Sequence, residues 1–209
     1  MKAWLLLALM LIGGLSVGVA PAEAHVPYIE RYDSTESRPF MLDDVVQSKV
    51  FYAWLQSATD IDYYRFEVTD PVRVYAQAIV PVCPGYEQFL PWLAVIGPGL
   101  PTPSEGLPAG FTLPPGYGAI VLPNVPPGET RETFYEPFGG KYYYDAPIFD
   151  QVVTQPGHWG IIYYDLTGSV GDYGGVIGIE ERFRPVDIVR SLINTPIVRQ
   201  NGELHTPCD

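Results

Sequence analysis

Apolar and polar residues alternate with a period of two through the middle of the chain. In Asp62-Tyr63-Tyr64-Arg65-Phe66-Glu67-Val68, Tyr64, Phe66 and Val68 fall on one face and Arg65 and Glu67 on the other, as in a strand with one wet side. Val72, Val74 and Ala76 repeat the alternation after Thr69-Asp70-Pro71, and the two segments are expected to pair as an antiparallel hairpin. Short runs rich in Val, Ile, Tyr and Phe, bounded by Pro, Gly or Asp, predict strands over residues 49–56, 61–69, 72–80, 92–97, 148–155, 158–165 and 173–179. The pattern is that of an all-β fold.

Two stretches break it. Between Gly97 and Gly140 proline and glycine recur at short intervals, as in Gly97-Pro98-Gly99-Leu100-Pro101 and Leu113-Pro114-Pro115-Gly116. Proline lacks the ladder donor and fixes φ, so residues 98–140 are expected to form a semi-rigid, Pro/Gly-rich insertion rather than sheet interior. Its apolar content, including Phe111, Tyr117, Ile120, Val121 and Phe134, implies that it packs. From Pro185 to Ile193 the period changes to that of a helix, with Val186, Val189, Leu192 and Ile193 on one face and proline at the first position.

The first residues set the compartment. Met1-Lys2 is followed by an apolar run from Ala3 to Ala20 and by Ala22-Glu23-Ala24, the order of a secretory leader and its cleavage site. Residues 1–24 are therefore expected to be a signal peptide, with His25 as the mature N-terminus. The alternative is retention as an anchor, since the run approaches the roughly 20 residues that span a bilayer. No other run is that long, so no membrane span is expected after residue 24 and the mature protein is placed in the periplasm, at the cell surface or outside the cell. Residues 25–209 suit one domain, comprising an arm (25–43), the sandwich with its insertion, and a helix and tail (185–209). The only cysteines, Cys83 and Cys208, are expected to form a disulfide in an oxidising compartment, or to stand as two thiols. A net charge of −12 with scattered Lys and Arg excludes a nucleic-acid partner, which needs a basic stripe.

The order Asp60-Ile61-Asp62-Tyr63-Tyr64-Arg65-Phe66-Glu67-Val68, Trp92-Leu93-Ala94-Val95-Ile96-Gly97, Pro156-Gly157-His158-Trp159-Gly160-Ile161-Ile162-Tyr163 and Gly171-Asp172-Tyr173 resembles the bacterial pre-peptidase C-terminal domain. The likeness covers residues 44–180, with the proline-rich section as an insertion; Asp70-Pro71 replaces the family's Ala-Gly turn, and Trp159 stands where Thr or Ser is common. The resemblance implies a jelly-roll-type β-sandwich and a non-catalytic binding or stabilising module, sometimes calcium-bound. No peptidase domain accompanies it, so an accessory role to a protease does not carry over.

Three constellations are candidates for chemistry. A free amine on His25 would chelate copper with its own ring, and Pro27 blocks a continuing wrap of backbone nitrogens, so His158 is the expected remote ligand. Asp60, Asp62 and Asp172 are hard oxygen ligands for calcium if the sandwich brings their loops together, or caps of turns if it does not. Trp92, Tyr143 and Trp159 can offer flat rings to a carbohydrate or a cell-surface protein, or fill the core. There is no Gly-x-Ser-x-Gly elbow, His-Glu-x-x-His or phosphate loop. The expected function is thus an exported, non-catalytic binding or structural module; a copper protein using His25 and His158 is the alternative, and a secreted hydrolase the third. The ligand and the oligomeric state are not legible in the sequence.

Overall fold

A computed structural model describes residues 25–125, 130–206 and 208; the expected signal peptide, 1–24, lies outside them. The chain forms an all-β sandwich with one C-terminal helix. Its strands are β1 (Val26–Ile29), β2 (Phe40–Met41), β3 (Lys49–Leu55), β4 (Ile61–Val68), β5 (Val72–Pro81), β6 (Trp92–Pro98), β7 (Tyr117–Leu122), β8 (Thr133–Glu136), β9 (Lys141–Tyr144), β10 (Ile148–Val153), β11 (Gly157–Tyr164) and β12 (Gly171–Ile177), followed by α1 (Pro185–Arg199). One sheet has the order β1-β3-β12-β5-β9-β8, with β10 also on β5; the other has the order β2-β4-β11-β6-β7.

The expected hairpin of β4 and β5 is corrected by this order. β4 pairs with β2 and β11 in the five-stranded sheet, whereas β5 pairs with β9, β10 and β12 in the seven-stranded one. Thr69-Asp70-Pro71 is a corner that switches sheets. The alternation explains the arch: Tyr64, Phe66 and Val68 of β4 and Val74, Ala76, Ala78 and Val80 of β5 all enter one core between the sheets, burying two apolar faces that a flat hairpin would leave on one side.

The same parity divides β11. On β11, Trp159, Ile161 and Tyr163 point into the core, while Ile162 and Tyr164 belong to a second cluster on the outer face of the five-stranded sheet. That outer face is covered by the proline-rich section, through Leu107, Phe111, Leu113 and Tyr117. Ala119 donates its amide to the Pro101 carbonyl at 2.9 Å, and the Tyr164 hydroxyl donates to the Gly106 carbonyl at 2.6 Å. The section is not all loop: β7 runs as an edge strand beside β6, and β8 pairs with β9. Its prolines flank these strands rather than interrupt them, which keeps each ladder donor.

The helix is longer than its apolar spacing indicates and continues through Pro196 to Arg199. Asp187 starts it by accepting the Arg184 amide at 3.0 Å. Helices ordinarily bury an apolar stripe, but here the residues turned onto the protein are Asp187, Asn194 and Val198. The Asn194 amide donates to the Pro27 carbonyl (2.9 Å), Arg190 donates to the Tyr28 hydroxyl (2.6 Å), and Gln47 donates to Asp187 (2.9 Å). Val186, Val189, Leu192 and Ile193 are consequently exposed.

Candidate functional site

At one end of the sandwich, the segment after β1 and the start of β4 bring three carboxylates together. Glu30, Asp33 and Asp62 each offer an oxygen, and these oxygens lie within 4.8 Å of one another. Asp62 shares the inward parity of Tyr64, so its carboxyl is completely buried. Tyr173 of β12 donates to its Oδ2 at 2.6 Å and Ser34 to its Oδ1 at 3.3 Å. The Trp54 amide donates to Oε2 of Glu30 at 3.0 Å. Oε1 of Glu30 and Oδ1 of Asp33 are buried and meet no hydrogen-bond donor among the described residues.

Such a cluster is electrostatically costly when empty of cations. Burial first, and then the charge of Glu30, pushes the Asp62 carboxyl well above the usual carboxylate range, against the Tyr173 hydroxyl. Burial likewise raises Glu30, opposed by the Trp54 amide and by a hydrogen bond with the Asp62 carboxyl and reinforced by the charges of Asp33 and Asp60. Asp60 lies at the margin: its Oδ2 accepts the Gln56 amide at 2.6 Å and closes the β3–β4 turn, and burial raises it too. A cavity of about 330 Å³ adjoins the cluster, lined by Glu30, Asp33 and Ser34 together with Tyr28, Phe40 and Tyr64. Its aromatic floor is continuous, with Tyr28, Phe40 and Tyr64 each within 4.9 Å, centroid to centroid, of Phe51.

Chemically the site offers hard oxygen donors to a hard cation. Calcium is bound at about 2.3–2.6 Å by six to eight oxygens, so oxygens on opposite sides of the ion stand about 5 Å apart. Three carboxylates inside that span, two of them with spare buried oxygens, match the spacing of oxygens around such an ion and would supply part of its ligand set. Thiolate or imidazole ligands, which suit softer metals, are not among the site's donors.

The other sequence candidates are dispersed. Asp172 does not join Asp62, because it neighbours the inward-pointing Tyr173 and therefore projects from the opposite face of β12. There it accepts the Tyr86 hydroxyl at 2.5 Å, the His205 amide at 3.0 Å and the His205 ring at 2.8 Å. His205 stacks on Trp54 at 4.0 Å, and Cys208 is disulfide-bonded to Cys83, with Cα atoms 4.9 Å apart. Asp172 is thus the anchor of the C-terminal tail.

His25 and His158 are likewise held apart. His25 lies beside Ser48 on the outer face of the seven-stranded sheet, its Nδ1 2.5 Å from the hydroxyl. His158 projects from the outer face of the five-stranded sheet, opposite Glu67 in the register. Both sheets, about 10 Å apart, stand between the two imidazoles, so they do not meet on one ion.

The aromatic candidates are packing residues. Tyr143 and Trp159 are buried, and Trp92 is partly covered by the insertion beside Ala94 and Ile96. Trp159 lies over Gly97 and donates to the Gln155 carbonyl at 3.0 Å. Glu30 and Asp33 carried no local signal, being charged residues of an arm whose approach to β4 depends on β1 pairing with β3, on β2 pairing with β4 and on the Tyr63 amide donating to the Ser34 carbonyl. Comparison with family models and with curated proteins finds no match to this chain.

Proposed function

We propose that the protein is an exported, non-catalytic β-sandwich module whose binding site is the Glu30–Asp33–Asp62 pocket, occupied by a divalent hard cation for which calcium is the best fit. The observation that carries this reading is the convergence of three carboxylates, two with buried oxygens lacking a donor, around one point. A cation there offsets the mutual repulsion and desolvation of the carboxylates and ties the arm at Glu30 and Asp33 to β4. Its effect is to fix the rim of the aromatic-floored cavity, where a cell-surface protein or carbohydrate partner would be received. Export is supported by the Cys83–Cys208 disulfide, a bond that persists in oxidising compartments, and by the leader-like order of residues 1–24. The resemblance to the pre-peptidase C-terminal domain points the same way, to a module that binds or stabilises.

Calorimetric titration of the exported protein with Ca²⁺ and with Cu²⁺ tests the reading. The expected result is saturable Ca²⁺ binding that is lost in Glu30→Gln and Asp33→Asn while both variants keep the wild-type circular dichroism. Absence of Ca²⁺ binding, or binding unchanged in both variants, overturns it. Tight Cu²⁺ binding that disappears in His25→Ala would instead assign a copper site to the His25 amine and ring without His158.

A further inference from the structure

β1 and β3 run parallel with Val26 opposite Lys49, so the residues that precede them, His25 and Ser48, stand side by side where the two strands begin. Backbone bonds fix the serine on both sides. The Val26 amide donates to the Ser48 carbonyl at 2.9 Å, and the Ser48 amide donates to the Glu180 carbonyl at 2.9 Å. The result is a close side-chain pair, with the Ser48 hydroxyl 2.5 Å from Nδ1 of His25. The two residues are 23 positions apart in the sequence, and the pairing of β1 with β3 is what brings them together.

The pair also lines a pocket of about 520 Å³ on the outer face of the seven-stranded sheet. Ile79, Phe134 and Val176 give this pocket an apolar wall, and Glu136 and Glu181 are its carboxylates. An apolar cleft of that size with a few convergent polar groups is the usual form of a small-molecule site. A serine hydroxyl is a weak nucleophile at its ordinary pKa and becomes an effective one when an adjacent imidazole takes its proton. Hydrogen-bond reach between the two is the geometry this requires. With its own hydrogen on Nε2, the His25 ring accepts from Ser48 at Nδ1. The negative charge of Glu136 and Glu181 on the same pocket favours the imidazolium that forms when the proton arrives.

We propose that Ser48 is a covalent acyl-acceptor site, activated by His25, for small uncharged esters with an apolar acyl group. Oγ of Ser48 forms a bond to the acyl carbon while its proton passes to Nδ1 of His25. The bond from the acyl carbon to the alkoxy oxygen then breaks, and the leaving oxygen takes the proton from the imidazolium and departs as the alcohol. The acyl group is received by the Phe134 and Val176 wall, and the two carboxylates discriminate against anionic substrates. The step modifies the protein once, at Ser48, and asks no turnover of it. This inference goes beyond the cation pocket, which lies at the Glu30 end of β1, opposite to His25, and either site can fail without the other.

The test treats the exported protein with two probes, diisopropyl fluorophosphate, which phosphorylates activated serines with loss of fluoride, and 4-nitrophenyl butyrate. Wild type is expected to take up a single diisopropylphosphoryl group, mapped to Ser48 by peptide mass spectrometry, and to release 4-nitrophenolate from the ester unless it has been phosphorylated first. Ser48→Ala should do neither. His25→Gln should slow both reactions by at least about a hundredfold, the order of a lost general base, while keeping the wild-type circular dichroism. The mapping is read on wild type and so stands whether or not a variant folds. No label at Ser48 in wild type, or label spread at equal rates over other serines, overturns the proposal. So does an unchanged rate in folded His25→Gln, which leaves the hydrogen bond as an anchor of the arm.

Discussion

Tyr173 and Asp62 join the two sheets: the phenol on β12 donates to the carboxylate on β4 at 2.6 Å, with both side chains sealed from solvent. A buried carboxyl flanked by Glu30 is tolerable because this hydroxyl meets one of its oxygens and Ser34 the other. The bond also couples the core to the candidate site, since the residue it steadies is one of the three carboxylates.

Tyr173→Phe removes that donor and leaves a buried oxygen without a partner. The expected loss is about 1–3 kcal/mol of unfolding free energy, measured by urea denaturation. A variant as stable as wild type would show that Asp62 does not depend on the bond.

The pH dependence follows from the direction of the carboxyl shifts. Glu30 and Asp62 both have folded-state pKa values above their unfolded ones, so the folded state holds protons that the unfolded chain has released. Without cation, these two groups make stability fall as pH rises from the ordinary carboxylate range toward their folded values. Asp62→Asn should remove part of that fall and stabilise the cation-free protein at neutral pH. Thermal unfolding across pH in a chelator, wild type against Asp62→Asn, reads both effects; parallel curves would contradict the assignment.

Gly97 is required where β6 passes under the Trp159 ring, since a Cβ built there comes within 2.2 Å of the indole. Gly97→Ala should cost about 1–3 kcal/mol through overpacking. Chemical denaturation gives the value, and an unchanged midpoint would mean that the indole moves without penalty.

The disulfide closes a sequence separation of 125 residues, for which the chain-entropy model gives about 4–5 kcal/mol as an upper value. Cys208→Ser should lower stability by about 2–5 kcal/mol, with hydrogen exchange rising first at His205 and its neighbours, which are then held by the bonds to Asp172, the Trp54 stack and the Lys141–Glu203 pair. Equal protection in both proteins would show that these non-covalent contacts suffice.

Local alternation was enough to expect β3–β6 and β10–β12, since each writes its buried face into its own residues. Pairing was not local: the period of two in Tyr64-Arg65-Phe66 and Val74-Tyr75-Ala76 is the same whether β4 and β5 lie side by side or face one another across a core. The helical spacing of Val186 and Val189 likewise defined a face but not its direction, which is decided by Asp187 and Asn194 finding Gln47 and Pro27. The candidate site was half legible. Asp62 was legible as a calcium ligand or turn cap, but Glu30 and Asp33 reach it through long-range pairing, of β1 with β3, of β2 with β4 and of the Tyr63 amide with the Ser34 carbonyl, and Asp172 was turned away by its parity with Tyr173.

The pocket's role is tested most directly by terbium luminescence, with Tb³⁺ standing in for Ca²⁺ as a hard, oxygen-seeking ion. Tyr173 is bonded to Asp62, and Tyr28 and Tyr64 line the adjoining cavity, so an ion held by Glu30, Asp33 and Asp62 is sensitised by excitation of tyrosine. The expected result is sensitised emission that Ca²⁺ displaces and that Asp33→Asn abolishes. Emission absent in wild type, or undiminished in the folded Asp33→Asn variant, would contradict a cation site at these three carboxylates.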